Sequence, residues 1–307
     1  MTPDAWKARG RMLEVPEGRI FVVDLAPERE RAGKEASIPL LVLHGFPTSS
    51  WDFAEVALAV ARDRRVVLFD FLGFGQSDKP SDAGYSLFEQ ADVALLVARS
   101  CGLDRVHLWA HDMGTSVATE LLARRERGLC ALALESLVLM NGSVHLDMAA
   151  PTLGQRILMS PAGGAFARVA RRSVFVAQLR RVFAKPPSPE TLGQMWDLLA
   201  REGGVLRLPA IIRYMEERVR FRRRWIGALE RLDLPVLVAW GAKDPVARLA
   251  IAERLARDTP GAELVVWDAL GHYPQVEDPA CVVETVTRFL DRLEARGAKS
   301  AIVGAPS

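Results

Sequence analysis

The amino-acid sequence reads as an α/β protein: a mostly parallel central sheet with helices on both faces, interrupted by one inserted helical segment. Three observations predict this. Short runs rich in β-branched residues and leucine alternate with segments of helical period. Those runs are apolar at nearly every position, as strands buried on both faces require. The alternation then stops for about 85 residues and resumes, which is the pattern of an insertion into one sheet.

The strands, in order, are FVVDLA (21–26), LLVLHG (40–45), VVLFDFLG (66–73), VHLWAHD (106–112), LVLMNG (137–142), VLVAWG (236–241) and ELVVWD (263–268). Helical stripes fill the gaps at Leu87–Cys101, Thr115–Arg125, Ala247–Arg257 and Cys281–Glu294. Between Asn141 and Pro235 no strand is convincing, and breakers at PAGG (161–164) and KPPSP (185–189) punctuate several helices. The chain therefore divides into a first core part (1–145), a helical cap (146–230) and a second core part (231–307), with a fraying tail from Gly297. The cap holds 15 basic and 7 acidic residues, a net +8, which leaves −6 for the rest of a chain that sums to +2. An arginine-rich solvated surface is the ordinary reading of that excess, and an anion site the rarer one.

Composition excludes several classes. At 307 residues and 33.8 kDa, half apolar and a quarter charged, the chain buries a large core and needs no staples. Near-neutral net charge argues against coating nucleic acid or acidic membranes with the molecule as a whole. Arginine outnumbers lysine 34 to 6, a bias with no mechanism attached. Three dispersed cysteines, Cys101, Cys130 and Cys281, form neither a disulfide framework nor a zinc site and read as buried thiols in a reducing compartment. The first residues carry no leader-like apolar run, and no apolar stretch is long enough to span a bilayer, so a cytoplasmic location is expected. GFGQS lacks the strand and helix context of a nucleotide fingerprint; no cofactor or metal is implied, and the expected partner is a small-molecule substrate.

In an open parallel sheet, ligands bind beyond the carboxyl ends of the strands. After VHLWAHD comes a helix start, so A-H-D-M-G (110–114) sits where a nucleophile elbow would, with Asp112 in the nucleophile slot. An ionised carboxylate needs no base to attack, is a weak nucleophile, and suits an activated sp³ carbon. A helix-capping aspartate is the competing reading. The loop His44-Gly45-Phe46-Pro47 follows the first long strand and nominates the backbone N–H groups of Phe46 and Met113 as an oxyanion hole, with a cis bond before Pro47 one way to fix its shape and His44 a structural hydrogen-bonder. Late in the chain, Asp244 (GAKDPV) and His272 (ALGHYPQVEDP) follow successive strands, giving the order nucleophile, acid, histidine. His272 would activate water against an Asp112 ester while Asp244 holds its tautomer. Among three tyrosines, Tyr214 lies in the cap and is the candidate proton donor; Tyr85 and Tyr273 read as loop packing. Trp51, Trp196 and Asn141 are assigned to the substrate pocket.

Together HGFPTSSWDF, FDFLGFGQSDKP, YSLFEQA, AHDMG, FRRRWIGAL (221–229) and GHYPQVEDP resemble an α/β-hydrolase of the mesoderm-specific transcript group, within the wider epoxide hydrolase and haloalkane dehalogenase class. The likeness covers roughly residues 38–290. It implies Asp112 as nucleophile, His272 as base, Asp244 as acid and a helical cap, but no natural substrate. Three departures matter. Met113 and Phe46 stand where haloalkane dehalogenases usually carry halide donors, the arginine of fluoroacetate dehalogenases is missing, and a second cap tyrosine, usual in epoxide hydrolases, has no counterpart. Ala110 replaces the customary elbow glycine. The resulting expectation is an epoxide hydrolase-like reaction on a small apolar substrate. Its alternatives are halide displacement with tryptophans such as Trp51, Trp109 or Trp196 as donors, ester hydrolysis, and a non-catalytic interaction protein using the basic cap.

Overall fold

The computed structural model describes residues 1–29 and 37–303. Its strands are β1 (Gly10–Val15), β2 (Gly18–Leu25), β3 (Leu40–Leu43), β4 (Val66–Phe69), β5 (Arg105–His111), β6 (Ala133–Met140), β7 (Val236–Gly241) and β8 (Glu263–Trp267), in one sheet of order β1-β2-β4-β3-β5-β6-β7-β8. β1 and β2 join antiparallel, and β3 to β8 run parallel. β1 was not expected. It is a half-exposed edge strand of mixed polarity, and nothing in its composition marks it.

Alternate residues of the central strands feed two cores. Leu41, Leu43, Val67 and Phe69 point into one, and Leu40, Val42, Val66 and Leu68 into the other. This is why the strand runs lack a polar face. The helices are α1 (Pro3–Lys7), α2 (Ala54–Val60), α3 (Leu87–Ser100), α4 (Met113–Arg125), α5 (Leu153–Leu158), α6 (Gly163–Arg168), α7 (Arg172–Arg180), α8 (Pro189–Ala200), α9 (Leu208–Ile211), α10 (Tyr214–Arg220), α11 (Arg222–Glu230), α12 (Leu249–Asp258), α13 (Pro274–Glu277) and α14 (Pro279–Val303). α3 starts on a capping box, Ser86 accepting from the Glu89 amide while Glu89 accepts from that of Ser86. α14 runs through residues 297–303, expected to fray; 304–307 lie outside the described residues.

Residues 146–230 hold helices and no strand. The last of them, α11, is tied to α4: the buried Glu120 carboxylate accepts from Arg224 at 2.7 and 2.9 Å, from Arg124 at 2.8 Å and from the Trp225 indole at 2.8 Å. Burial works against that charge, but its three donors outweigh it and hold the carboxyl below its ordinary range. The motif FRRRWIGAL is thus an anchor. In FDFLGFGQSDKP the buried Asp70 carboxylate accepts from the amides of Ser50 and Gln76, and Lys79 donates to the carbonyls of Gly75 and Ser77. Of the cysteines Cys101 is buried, Cys130 and Cys281 are half-buried, and all three are free thiols, so the expectation of burial holds fully for one.

Candidate active site

β3 lies between β4 and β5, so the chain leaves it in one direction and returns on the other side, opening a crevice at the carboxyl ends of β3 and β5. Asp112 sits there with φ 47° and ψ −112°, a strained conformation for a residue bearing a Cβ. The turn leaves no room for side chains around it: a Cβ on Gly114 would come within 2.5 Å of the Leu43 carbonyl, and one on Gly45 within 2.6 Å of the Asp112 Cβ. The Asp112 carboxylate does not cap α4, since no side-chain capping bond forms there. Instead its Oδ1 accepts from the Phe46 N–H at 2.8 Å, and its Oδ2 lies 3.7 Å from His272 Nε2. The Phe46–Pro47 bond is cis. Met113, the other nominated donor, is buried as the first residue of α4.

His272 Nδ1 meets Asp244 Oδ2 at 2.6 Å. The other Asp244 oxygen accepts from the amides of Val246 and Ala247 at 2.7 and 2.9 Å. Burial opposes a charged imidazole, but Asp244 beside it, with Asp112 and Glu277 further off, raises its pKa to about 9. His111, its ring tilted 49° and 5.3 Å from that of His272, is driven down to about 3 by burial and by that neighbour. It therefore stays neutral, and its Nε2 donates to the His272 carbonyl at 2.8 Å. His44 is also structural: Nδ1 donates to the Gly45 carbonyl and Nε2 accepts from the Phe71 amide.

An apolar cavity of about 100 Å³ reaches this group. Phe46, Leu158, Phe166, Leu179, Val182 and Leu208 wall it, with His272 and Tyr273 on the core side. It touches Phe46 and His272, which face the two oxygens of the Asp112 carboxylate; Asp112 itself and Tyr214 do not line it. Tyr214 is fully buried, its ring 5.7 Å from that of Phe46. Burial and then the Asp112 charge push its phenol well above the ordinary range, so it holds its proton.

Several expectations need correcting. Asn141 is not a pocket residue: at φ 43° its amide donates to Asp244 Oδ2 at 2.8 Å and to the Gly271 carbonyl at 3.2 Å while accepting from Gly241 N–H, so it steadies Asp244. Trp51 donates to the Met1 carbonyl at 3.2 Å; Trp196 packs on Phe175 at 5.3 Å; neither lines the cavity. Tyr273 is more than loop packing, because it stacks on Phe183 at 4.8 Å and forms cavity wall.

Two residues escaped the sequence reading. Arg218 is 2% exposed; its Nε donates to Ser116 Oγ at 2.7 Å and its Nη2 to the Asp112 carbonyl at 3.3 Å, while its guanidinium sits 4.6 Å over the Tyr214 ring. Glu277 accepts from the amides of Ala184, Lys185 and Gly271, and His272 N–H donates to the Val182 carbonyl. The segment 146–230 is thereby fastened both to the turn at Asp112 and to the loop that carries His272.

This architecture matches a family model for the alpha/beta hydrolase fold over residues 38–279. The chain belongs to that family. It is 39% identical over 288 residues to a protein named as the hydrolase LipZ of Mycobacterium tuberculosis, covering 93% of this chain and 96% of that one. It is 35% identical over 300 residues to the mesoderm-specific transcript homolog protein of Homo sapiens, covering 94% and 87%. Among solved structures, a loop variant of a haloalkane dehalogenase from Bradyrhizobium elkanii aligns with TM-score 0.78 at 21% identity over 95% of this chain and 99% of that one. An enol-lactonase from Burkholderia xenovorans aligns with TM-score 0.73 at 19% identity over 92% and 100%. Such structural likenesses establish the fold. Among the described residues no helix is long and apolar enough to cross a membrane.

Proposed function

We propose that this hydrolase opens a small apolar epoxide through a covalent ester of Asp112. The observation that carries the reading is the division of labour between the two Asp112 oxygens: Oδ1 is held by the Phe46 N–H, and Oδ2 is left facing His272. In the first step Oδ2 attacks a ring carbon, the C–O bond of the ring breaks, and the alkoxide takes the Tyr214 proton. Arg218 over the Tyr214 ring favours the phenolate that results.

Esterification removes the Asp112 charge, one of the carboxylates that keep His272 protonated. The imidazole then gives up its proton to solvent water, serves as the base of the second step, and takes a proton back from solvent once the Asp112 carboxylate is restored. It takes a proton from water, which attacks the ester carbon; negative charge develops on Oδ1, already within reach of the Phe46 N–H. The imidazolium returns the proton to the departing alcohol, and the regenerated carboxyl restores the Tyr214 proton. A diol leaves. The small apolar cavity and the engagement of the Trp51 indole N–H by the Met1 carbonyl, which leaves it no hydrogen to offer a halide, favour this over halide displacement.

The test is intact-mass measurement of His272→Gln after incubation with styrene oxide, 1-bromobutane or 4-nitrophenyl butyrate. The expected result is an adduct of the epoxide mass located on Asp112, formed ~10²-fold more slowly when Tyr214→Phe is added. An alkyl adduct from the bromoalkane alone points to halide displacement. No adduct from any of the three in folded protein overturns the covalent reading.

A further inference from the structure

The cap's positive charge is concentrated in one stretch. From Met148 to Pro189 the chain runs 42 residues without a carboxylate while carrying six arginines and Lys185, all exposed. Arg172 pairs with Asp197 at 3.3 Å and Lys185 with Asp278 at 3.8 Å, both on the open surface. Among the described residues Arg156, Arg168, Arg171, Arg180 and Arg181 have no acidic partner. A surface built only to stay solvated mixes both signs of charge.

Aliphatic side chains stand among these arginines. Leu153 is 64% exposed, Val169 70% and Val174 45%, and they belong to α5, the α6 terminus and α7. The inner faces of the same three helices, through Leu158, Phe166 and Leu179, wall the cavity. α5 and α7 abut there, since a Cβ on Gly154 would strike the Gln178 side chain at 2.5 Å. The substrate cavity thus lies directly beneath a face that is basic and aliphatic together.

We infer that this face docks on an anionic phospholipid bilayer, so that the cavity collects its apolar substrate from the membrane surface. Basic residues bracketing exposed aliphatic ones are the signature of interfacial binding: the charge attracts anionic headgroups and the aliphatic groups enter the acyl boundary. A nucleic acid would be met by aromatic stacking residues, and a protein partner by aromatic anchors, and the exposed side chains here are aliphatic. Docking stands apart from the proposed reaction, because its readout does not use turnover.

The test is co-sedimentation of the full chain with phosphatidylcholine vesicles and with vesicles carrying 30% phosphatidylglycerol, in ~50 mM and ~500 mM NaCl. The expected result is binding to the anionic vesicles at low salt, at least tenfold weaker on neutral ones, and lost at high salt. Replacing Arg168, Arg171 and Arg180 together by glutamine should weaken it ~10²-fold, about fivefold per charge. Leu153→Ser with Val169→Ser should weaken it further at unchanged salt dependence. All five positions are exposed, so the melting curve should be unmoved. No sedimentation with anionic vesicles, or undiminished binding by the arginine variant, overturns the inference. So does capture by duplex DNA as tight as by vesicles and indifferent to the serine pair, which would mark a general polyanion binder.

Discussion

The strongest lever on the proposed mechanism is the charge of Asp112, and Asp112→Asn imitates its esterified, neutral form without any substrate. Oδ2 stands 3.7 Å from His272 Nε2. At an effective dielectric of about 20, two unit charges that far apart interact by about 4 kcal/mol, which is about 3 pKa units and an upper bound for this pair. Asp244 remains bonded to the other ring nitrogen and keeps part of the elevation. His272 should therefore fall from about 9 by between ~1 and ~3 units in Asp112→Asn. Asp112→Ala, which supplies no amide to the ring, should move it the same way. The assay is imidazole NMR across pH 5–10. The readout is clean because burial lowers the other four histidines, His44, His107, His111 and His145, and His272 is the one raised. A wild-type value near 6.5, or one unmoved in both variants, would refute the idea that forming the ester switches the base on.

Three other outcomes follow from the same contacts. Glu120→Ala strands the Arg224 guanidinium and the Trp225 indole against α4, while Arg124 keeps Asp92 and the Phe88 carbonyl, and should cost about 3–5 kcal/mol in urea unfolding, with Glu120→Gln milder; a loss below ~1 kcal/mol would show that α11 is not anchored there. Arg218→Lys keeps the charge but not the fork that reaches Ser116 and the Asp112 carbonyl, so ester formation from an epoxide should slow ~10-fold or more while breakdown of the ester changes little; equal slowing of both steps would make Arg218 merely structural. His272 is raised from 6.5 to about 9, and Asp52, buried and bonded by Thr48, from 3.8 to about 8. Both bind their proton more tightly in the folded state, so their stabilisation is full below the unfolded values and is lost as pH rises through 8 and 9. Stability should therefore decline by a few kcal/mol between pH 6.5 and 9, less steeply in Asp52→Asn, and a flat profile would contradict both shifts.

The sheet was legible in sequence wherever strands are buried on both faces, because VVLF or VLVAW can satisfy itself in few other ways. β1 was hidden, being an edge strand with one polar rim. Three ordered strand ends nominated Asp112, Asp244 and His272, and the fold brings those side chains together. What stayed hidden depends on long-range pairing. Arg218 and Glu120 are charged residues in arginine-rich or helical surroundings, and a linear pattern cannot tell a buried charge from a solvated one. Asn141 drew a pocket assignment because it follows a strand end, whereas its backbone turn aims the amide at Asp244, 103 positions away.

The motifs that carry the family resemblance hold the scaffold together more than they line the cavity. Asp70 and Lys79 knit one loop, Glu120 with Arg224 and Trp225 anchors the last cap helix, and Glu277 clasps the histidine loop to residues 184 and 185. From these motifs only Phe46, Pro47, His272 and Tyr273 reach the cavity; most of its remaining wall comes from residues 152–182, outside every motif. Exchanging residues 151–181 for the matching segment of LipZ should therefore change which epoxides alkylate Asp112 and leave the trapping chemistry intact. The exchange stops short of Val182, whose carbonyl holds His272, and of Ala184 and Lys185, which bind Glu277, so both fastenings of the base survive. The measurement is competitive trapping of a mixed epoxide panel by His272→Gln in each background, read by adduct mass. A chimera that folds and keeps the parent's preference would place specificity in the core loops instead, and the cavity wall would have to be read as packing.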